Sequence, residues 1–227
     1  MDPAAPKRES KRPRGAALSQ NGRPLGPRAL KTRERLLDVT AELLEERGVL
    51  DLSVVDIARR ADTSPGTFYH YFQDVQEAVL MLAERAGNDM PAVVELIDGP
   101  WEGSDGLDRA RAIVTRFIAH WDTHHAVLSL RNLAADRGDV RFQQVRRTTL
   151  RPIVDHFTAK IRGAQQAGRV PTRVHAGVAA AGILALLERL SAHKQVLRRL
   201  EASPEDLVET CARMIHQTVT GGAAEQP

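Results

Sequence analysis

The chain is poor in cysteine, in aromatic residues and in long apolar runs. Cys211 is the only cysteine among 227 residues. No disulfide can form within the chain, and a reducing cytoplasm is the expected setting. No apolar stretch has the length that crosses a bilayer. The first residues are charged and proline-rich, where a signal peptide carries an apolar core. A membrane is therefore not an expected partner. Aromatic residues make up only 4% of the chain. Alternation of β-branched residues is sparse and Ala, Leu, Val and Arg dominate, which argues against a sheet-rich core and for an all-helical one. A serine or cysteine nucleophile motif and a glycine-rich phosphate loop are also missing. Asp51/Asp56 and Glu45/Glu46 read as caps and solvated faces rather than catalytic pairs. No enzyme and no cofactor is expected.

What is present is unevenly distributed. The chain carries a net charge of +3. Residues 1–28 hold Lys7, Arg8, Lys11, Arg12, Arg14, Arg23 and Arg28 against Asp2 and Glu9, a surplus of five positive charges, so the remainder is net −2. Pro3, Pro6, Pro13, Pro24 and Pro27 oppose a stable helix there. Residues 1–27 are expected to be a disordered basic arm. Such arms follow a DNA backbone or enter the minor groove in other helix-turn-helix proteins, and Lys11-Arg12-Pro13-Arg14-Gly15 is similar to a fragment of an AT-hook. A solvated tail is the plainer alternative.

The densest information lies at residues 53–72. Ser53 is a good N-cap with Asp56 three residues later, and Val54, Ile57, Ala58 and Ala61 recur at helical spacing. Asp62-Thr63 breaks the pattern. Ser64 caps again, and Pro65 occupies the first helical position, where a missing N–H costs little. Two short helices with a tight turn follow. Phe68 and Phe72 are four apart and are expected in the core. Thr67, Tyr69, His70 and Tyr71 are left on or near the outer sides. Hydroxyl and imidazole donors suit phosphate oxygens, and Gly66 lets backbone approach a groove floor. Packing of these rings against neighbouring helices is the alternative.

These residues carry a family resemblance. The run Thr32-Arg33-Glu34-Arg35-Leu36-Leu37-Asp38, then Ala41 to Gly48, Ser53 to Ala58, Ala61, Ser64 to Phe72 and Glu77-Ala78 resembles the DNA-binding domain of the TetR/AcrR family of bacterial transcription regulators. The resemblance covers about residues 31–80. It implies a cytoplasmic, homodimeric, all-α protein of about nine helices. A three-helix helix-turn-helix domain over 28–75 would precede a helical ligand-binding and dimerisation domain over 76–221, with a short tail at 222–227. Pro65, Gly66 and Tyr69 would approach base edges of a double-stranded operator. Ser53, Thr67, His70 and Tyr71 would hold phosphates, with Val54, Val55 and Ser64 beside them and Lys31 and Thr32 near the backbone. Two departures stand out. The usual turn glycine is replaced by Asp62, which tolerates a left-handed backbone better than most residues. The usual lysine after the second helix is absent from Gln73-Asp74-Val75-Gln76, and Asp74 reads as the cap of the next helix.

The remaining chain reads as further helices. The first spans about 28–47, ended by Gly48. One runs from about 74 to 97, interrupted at Pro91. Others cover about 105–122, 125–137, 140–167 with a bend at Pro152, 173–199, and Ser203 to Gly221. Residues 98–104 are expected to be a loop and the domain boundary. Helix 173–199 is apolar on nearly every side, so it must be buried on more than one face. By the resemblance, the last two helices form the homodimer interface. A lipophilic effector would be enclosed by Met81, Trp101, Phe117, Trp121, Leu128, Phe142, Phe157, Ile183 and Leu187, with Asn132 and Glu188 as polar anchors. An acyl-CoA, its phosphates met by Arg131, Arg146, Arg147 and Arg151, is the alternative. His120 and His124 share a metal-ligand spacing, but no third ligand is fixed by spacing, so no metal is expected. The expected function is a repressor released from DNA by its ligand. A helical binding protein or enzyme that has lost DNA binding is the alternative.

Overall fold

The computed structural model describes residues 20, 22–47, 52–194, 199 and 201–222. The protein is all-helical. Four helices form the N-terminal part: α1 (Pro27–Arg47), α2 (Val54–Arg60), α3 (Pro65–Tyr71) and α4 (Val75–Ala86). A single 3-10 turn, Gly87–Asp89, leads to α5 (Met90–Asp98). Then follow α6 (Gly103–Asp136), α7 (Val140–Gln166), α8 (Ala176–Ala192) and α9 (Pro204–Thr220). No helix among the described residues is long and apolar enough to cross a membrane.

The local signals do their expected work in the first part. Ser53, Ser64 and Asp74 each accept an amide from the first turn of the helix they precede. Asp62 takes the left-handed conformation, φ 55°. Around it Thr63 N–H donates to Ala58 O at 2.9 Å and Asp62 N–H to Arg59 O at 3.2 Å, the pair of bonds that ends a helix without glycine's help. The turn is thus kept despite its aspartate. Gly48 lies outside the described residues.

Apolar side chains gather into two clusters. The first joins Leu36, Leu37, Leu43 and Leu44 of α1 to Ile57, Phe68, Phe72, Val79 and Leu82, and is completed by Val127 and Ala135 of α6 and Phe142 and Val145 of α7. The second is built from Met90, Val93 and Ile97 of α5, Ile113, Phe117 and Trp121 of α6, Phe157 of α7, Ile183 and Leu187 of α8, and Cys211 and Ile215 of α9. Cys211 is a buried core residue, as its helical position suggested.

Several expectations need correction. The predicted loop at 98–104 is shorter, at 99–102, and it is no boundary. Trp101 is buried in the second cluster, its indole N–H bonded to Ile97 O at 2.8 Å, and Arg109 donates to Pro100 O at 2.9 Å. The change from one cluster to the other falls instead between Ala83 and Ala86, in the last turn of α4, just before the 3-10 turn where the expected interruption near Pro91 lies. The two helices predicted over 105–122 and 125–137 are present as the two arms of α6, which run together across a kink at His124, where the backbone is not helical, φ −126° and ψ 23°. Helix α8 is shorter than 173–199, since His175 caps it and His193 ends it. It is also buried on one side only, with Val178, Ala181, Gly182 and Ala185 exposed. The arm is outside the described residues except at its end. There Gln20 bonds the head and Leu25 packs on its core, so residues 20 and 22–27 are not a free tail.

A polar knot holds α6, α7 and α8 together. Arg131 is 1% exposed and Glu188 7%. Arg131 Nη2 reaches Glu188 Oε1 at 3.3 Å, Asn132 Nδ2 reaches the same oxygen at 3.3 Å, and Arg146 pairs with the other carboxylate oxygen. Burial pushes the Arg131 guanidinium down to about 10, against the opposing pull of Glu188, so it stays charged at neutral pH. Glu188→Ala should strand that charge and lower stability by about 3–5 kcal/mol. Urea unfolding measures it, and the double change Arg131→Met/Glu188→Leu should recover most of the loss.

Candidate nucleic-acid interface and effector cleft

Helix α3 is short, so its orientation is set from outside. Phe68 and Phe72 are fully buried and their rings lie 5.2 Å apart. They anchor the inner face against α1 and α4. Ser64 Oγ accepts Thr67 N–H at 3.1 Å and lies 3.0 Å from Thr67 Oγ1. Tyr69 stands outward, 53% exposed, edge-on to Phe68 at 5.9 Å. Pro65, Gly66 and His70 share that open side.

Most of the predicted contact residues are accessible together. Lys31, Ser53, Val55, Ser64, Pro65, Gly66, Tyr69 and His70 are exposed, and Thr32, Val54 and Thr67 are half-buried. Tyr71 is the exception. It was expected to face DNA, but it is 8% exposed and packs in the first cluster. Three residues after Phe68 and one before Phe72, it falls on the same inward face. Ser53 also has a prior engagement, its hydroxyl lying 2.6 Å from Asp56 Oδ2. That bond, with Arg59 and Arg47 nearby, holds the Asp56 carboxyl below its ordinary range.

Sequence reasoning missed Gln20. Its backbone N–H donates to His70 O at 3.1 Å, and its amide donates to Tyr71 O at 3.2 Å and to Glu77 Oε2 at 2.8 Å. The first two acceptors are carbonyls that the end of α3 leaves unmet, and the third is a carboxylate on α4. The end of the basic arm is thereby fastened to the end of the exposed helix.

The predicted effector lining is divided between the two clusters and the polar knot. Met81 and Phe142 belong with the first cluster, whereas Trp101, Phe117, Trp121, Leu128, Phe157, Ile183 and Leu187 fill the second. Asn132 and Glu188 are occupied by each other and by Arg131 and Arg146. A cleft of 660 Å³ opens elsewhere, between the turn at Gly87, helix α5 at Met90 and Val94, and α7 at Thr148, Thr149 and Pro152. None of the eleven predicted residues lines it. Pro152 has no N–H to give to the Thr148 carbonyl one turn earlier, so the cleft wall carries an acceptor free of its helical bond. A smaller cleft of 360 Å³ is bordered by Arg146, Arg147, Arg151, Leu150 and Leu184.

Of the histidines singled out by spacing, His120 and His124 are joined by Asp89 from the 3-10 turn. Asp122 pairs with Lys194 instead, and the His125 ring lies 6.2 Å from Trp121.

Comparison with known proteins places both parts of the chain. Residues 36–77 match the family model for bacterial regulatory proteins of the tetR family, and residues 93–226 match the tetracyclin repressor-like C-terminal domain. The HTH-type transcriptional regulator EthR of Mycobacterium tuberculosis is 27% identical over 179 residues, covering 77% of this chain and 82% of EthR. Among solved structures, a transcriptional regulator from Rhodococcus sp. Rha1 shares the fold with a TM-score of 0.66 at 21% identity, over 86% of this chain and 99% of its own. The regulator FadR from Bacillus subtilis, solved in complex with stearoyl-CoA, has a TM-score of 0.60 at 16% identity, over 83% and 98% of the two chains.

The contrast between the two tyrosines is directly testable. Tyr71→Ala should cost about 3–5 kcal/mol of folding stability, as loss of a buried ring does. Tyr69→Ala should stay within about 0.5 kcal/mol of the parent. Equal losses in urea melts would contradict the assignment of Tyr71 to the core.

Proposed function

Because this chain belongs to the tetR family of bacterial regulatory proteins, helix-turn-helix transcription regulators that bind DNA, we propose that it is a cytoplasmic, homodimeric repressor released from its operator by a small lipophilic ligand. The observation that carries the reading is α3. Phe68, Phe72 and the Ser64 cap fix it, and Pro65, Gly66 and Tyr69 stand open to a major groove. Base edges fall to those three, with His70, Thr67 and Lys31 beside phosphates. The lysine missing after α3 removes one phosphate contact, and the basic arm, fastened by Gln20 beside His70, is suited to replace it.

One short helix reads too few bases for useful specificity. Two copies related by a twofold axis read a palindrome with half-sites about one helical turn apart. The exposed small residues Val178, Ala181, Gly182 and Ala185 of α8, with exposed Met214 of α9, support dimerisation through these helices. The 660 Å³ cleft is of the size that small ligands occupy. It touches Gly87, in the turn that joins the DNA-reading helices to the rest. A ligand that prefers one geometry of that turn lowers DNA affinity by as much as its preference allows. An acyl-CoA is the second reading for the effector. Arg146, Arg147 and Arg151 beside Leu150 and Leu184 favour it, as does the stearoyl-CoA complex of FadR.

Tyr69→Ala should weaken specific operator binding by about 1–3 kcal/mol, and Lys31→Ala should weaken binding more evenly across sequences. Operators selected from genomic DNA and gel shifts at one fixed salt concentration measure both. Unchanged operator affinity in Tyr69→Ala would sink the placement of α3.

A further inference from the structure

We propose that Asp89, His120 and His124 form a site for one divalent transition-metal ion of the zinc class. His120 and His124 are one turn apart on α6, and Asp89 closes the 3-10 turn after α4. Asp89 Oδ2 lies 3.5 Å from His120 Nδ1 and 3.3 Å from His124 Nε2. One donor atom from each residue falls within 4.8 Å of the other two. A tetrahedral zinc ion with bonds of about 2.0–2.2 Å sets its donors roughly 3.4 Å apart. Two of the three edges already have that length, and turning one imidazole brings in the third.

A second observation points the same way. His120 is 6% exposed, and its buried Nδ1 makes no well-formed hydrogen bond, the Asp89 carboxylate standing off at 3.5 Å. A buried ring nitrogen so loosely met leaves room for an occupant between it and the carboxylate. The partly exposed His124 and exposed Asp89 leave an entry path. Two imidazoles and one carboxylate without thiolate suit zinc and its first-row neighbours over magnesium or calcium. The fourth position is open to water or to a donor atom of a bound molecule.

The place of the site gives it a role. Asp89 lies in the 3-10 turn just past the change of cluster and His124 at the bend of α6, so a bound ion ties the turn to the bend. Through that tie the ion changes the setting of α3 and hence operator affinity, a consequence that rests on the DNA-binding reading above.

The test starts with EDTA-treated full-length protein titrated with Co²⁺. One equivalent per chain should produce visible d–d bands of a low-coordinate site, and Zn²⁺ should displace it. Asp89→Asn and His124→Ala, both at accessible positions, should each reduce affinity by roughly 100-fold or more, since loss of an outer partner alone costs about 10–100-fold. His125→Ala should bind as the parent does. Absence of the bands in the parent, or their persistence in Asp89→Asn and His124→Ala, overturns the site. Gel shifts with and without Zn²⁺ test the coupling separately. A Zn²⁺-dependent change in the parent that vanishes in Asp89→Asn supports it. Unchanged retardation overturns it while the Co²⁺ spectra still decide the site, and no retardation of any DNA would count against the DNA-binding reading alone.

Discussion

The bend in α6 at His124 is the constraint on which the rest of the structure depends. This helix is 34 residues long, and it serves both apolar clusters. Its first part lays Ile113, Phe117 and Trp121 into the second cluster, and its last part gives Val127 and Ala135 to the first. A straight rod could not follow both surfaces. Just past the bend, Ala126 N–H donates to Glu45 of α1 at 2.8 Å. A side chain entering the helical ladder is one of the few physical causes of a sharp bend. The carboxylate comes from the DNA-reading part, so that part is docked onto the bend itself. On the other side of the bend stand His120, His124 and Asp89.

Electrostatics set the second theme. Charges that a ligand pocket would keep available are spent inside the fold. Glu188 draws in Arg131, Asn132 and Arg146, and so binds α8 to α6 and α7. Glu188 is the acceptor that compensates for burial of the donors around it, while Arg131 Nη1 and Arg146 Nε stay without partners. The cleft at Gly87 and Pro152 is mostly apolar, with the hydroxyls of Thr148 and Thr149 and the carboxylates of Glu84 and Glu95 among its walls and no basic residue.

What the sequence disclosed follows the range of each interaction. The caps at Ser53, Ser64, Asp74 and Ser203, the turn at Asp62 and the Phe68/Phe72 pair are local. Each was legible, and with them the helix-turn-helix and the all-helical class. Tyr71 was misread because its hydroxyl suggested an errand at the surface, although its spacing from Phe68 already put it inside. The bend in α6 falls where the two predicted helices part, between 122 and 125, while the Glu45 carboxylate that meets Ala126 N–H there comes from far along the chain. Asp89 is likewise far along the chain from His120, so spacing gave two ligands and the fold supplied the third. The cleft arises between α5 and α7, and no single segment of sequence encodes its outline. The residues expected to line it lie elsewhere, and large apolar residues on buried faces are core by default.

The first cluster has a boundary that crosses the usual division of such chains. Phe142 and Val145 of α7 and Val127 and Ala135 of α6 close it, though all four lie far beyond α4. The helices that meet DNA therefore lack a complete core of their own. They are not a cassette that can be lifted out or exchanged among relatives by cutting at Gly87. A chimera that keeps the native packing behind its recognition surface must carry the corner between α6 and α7 with it.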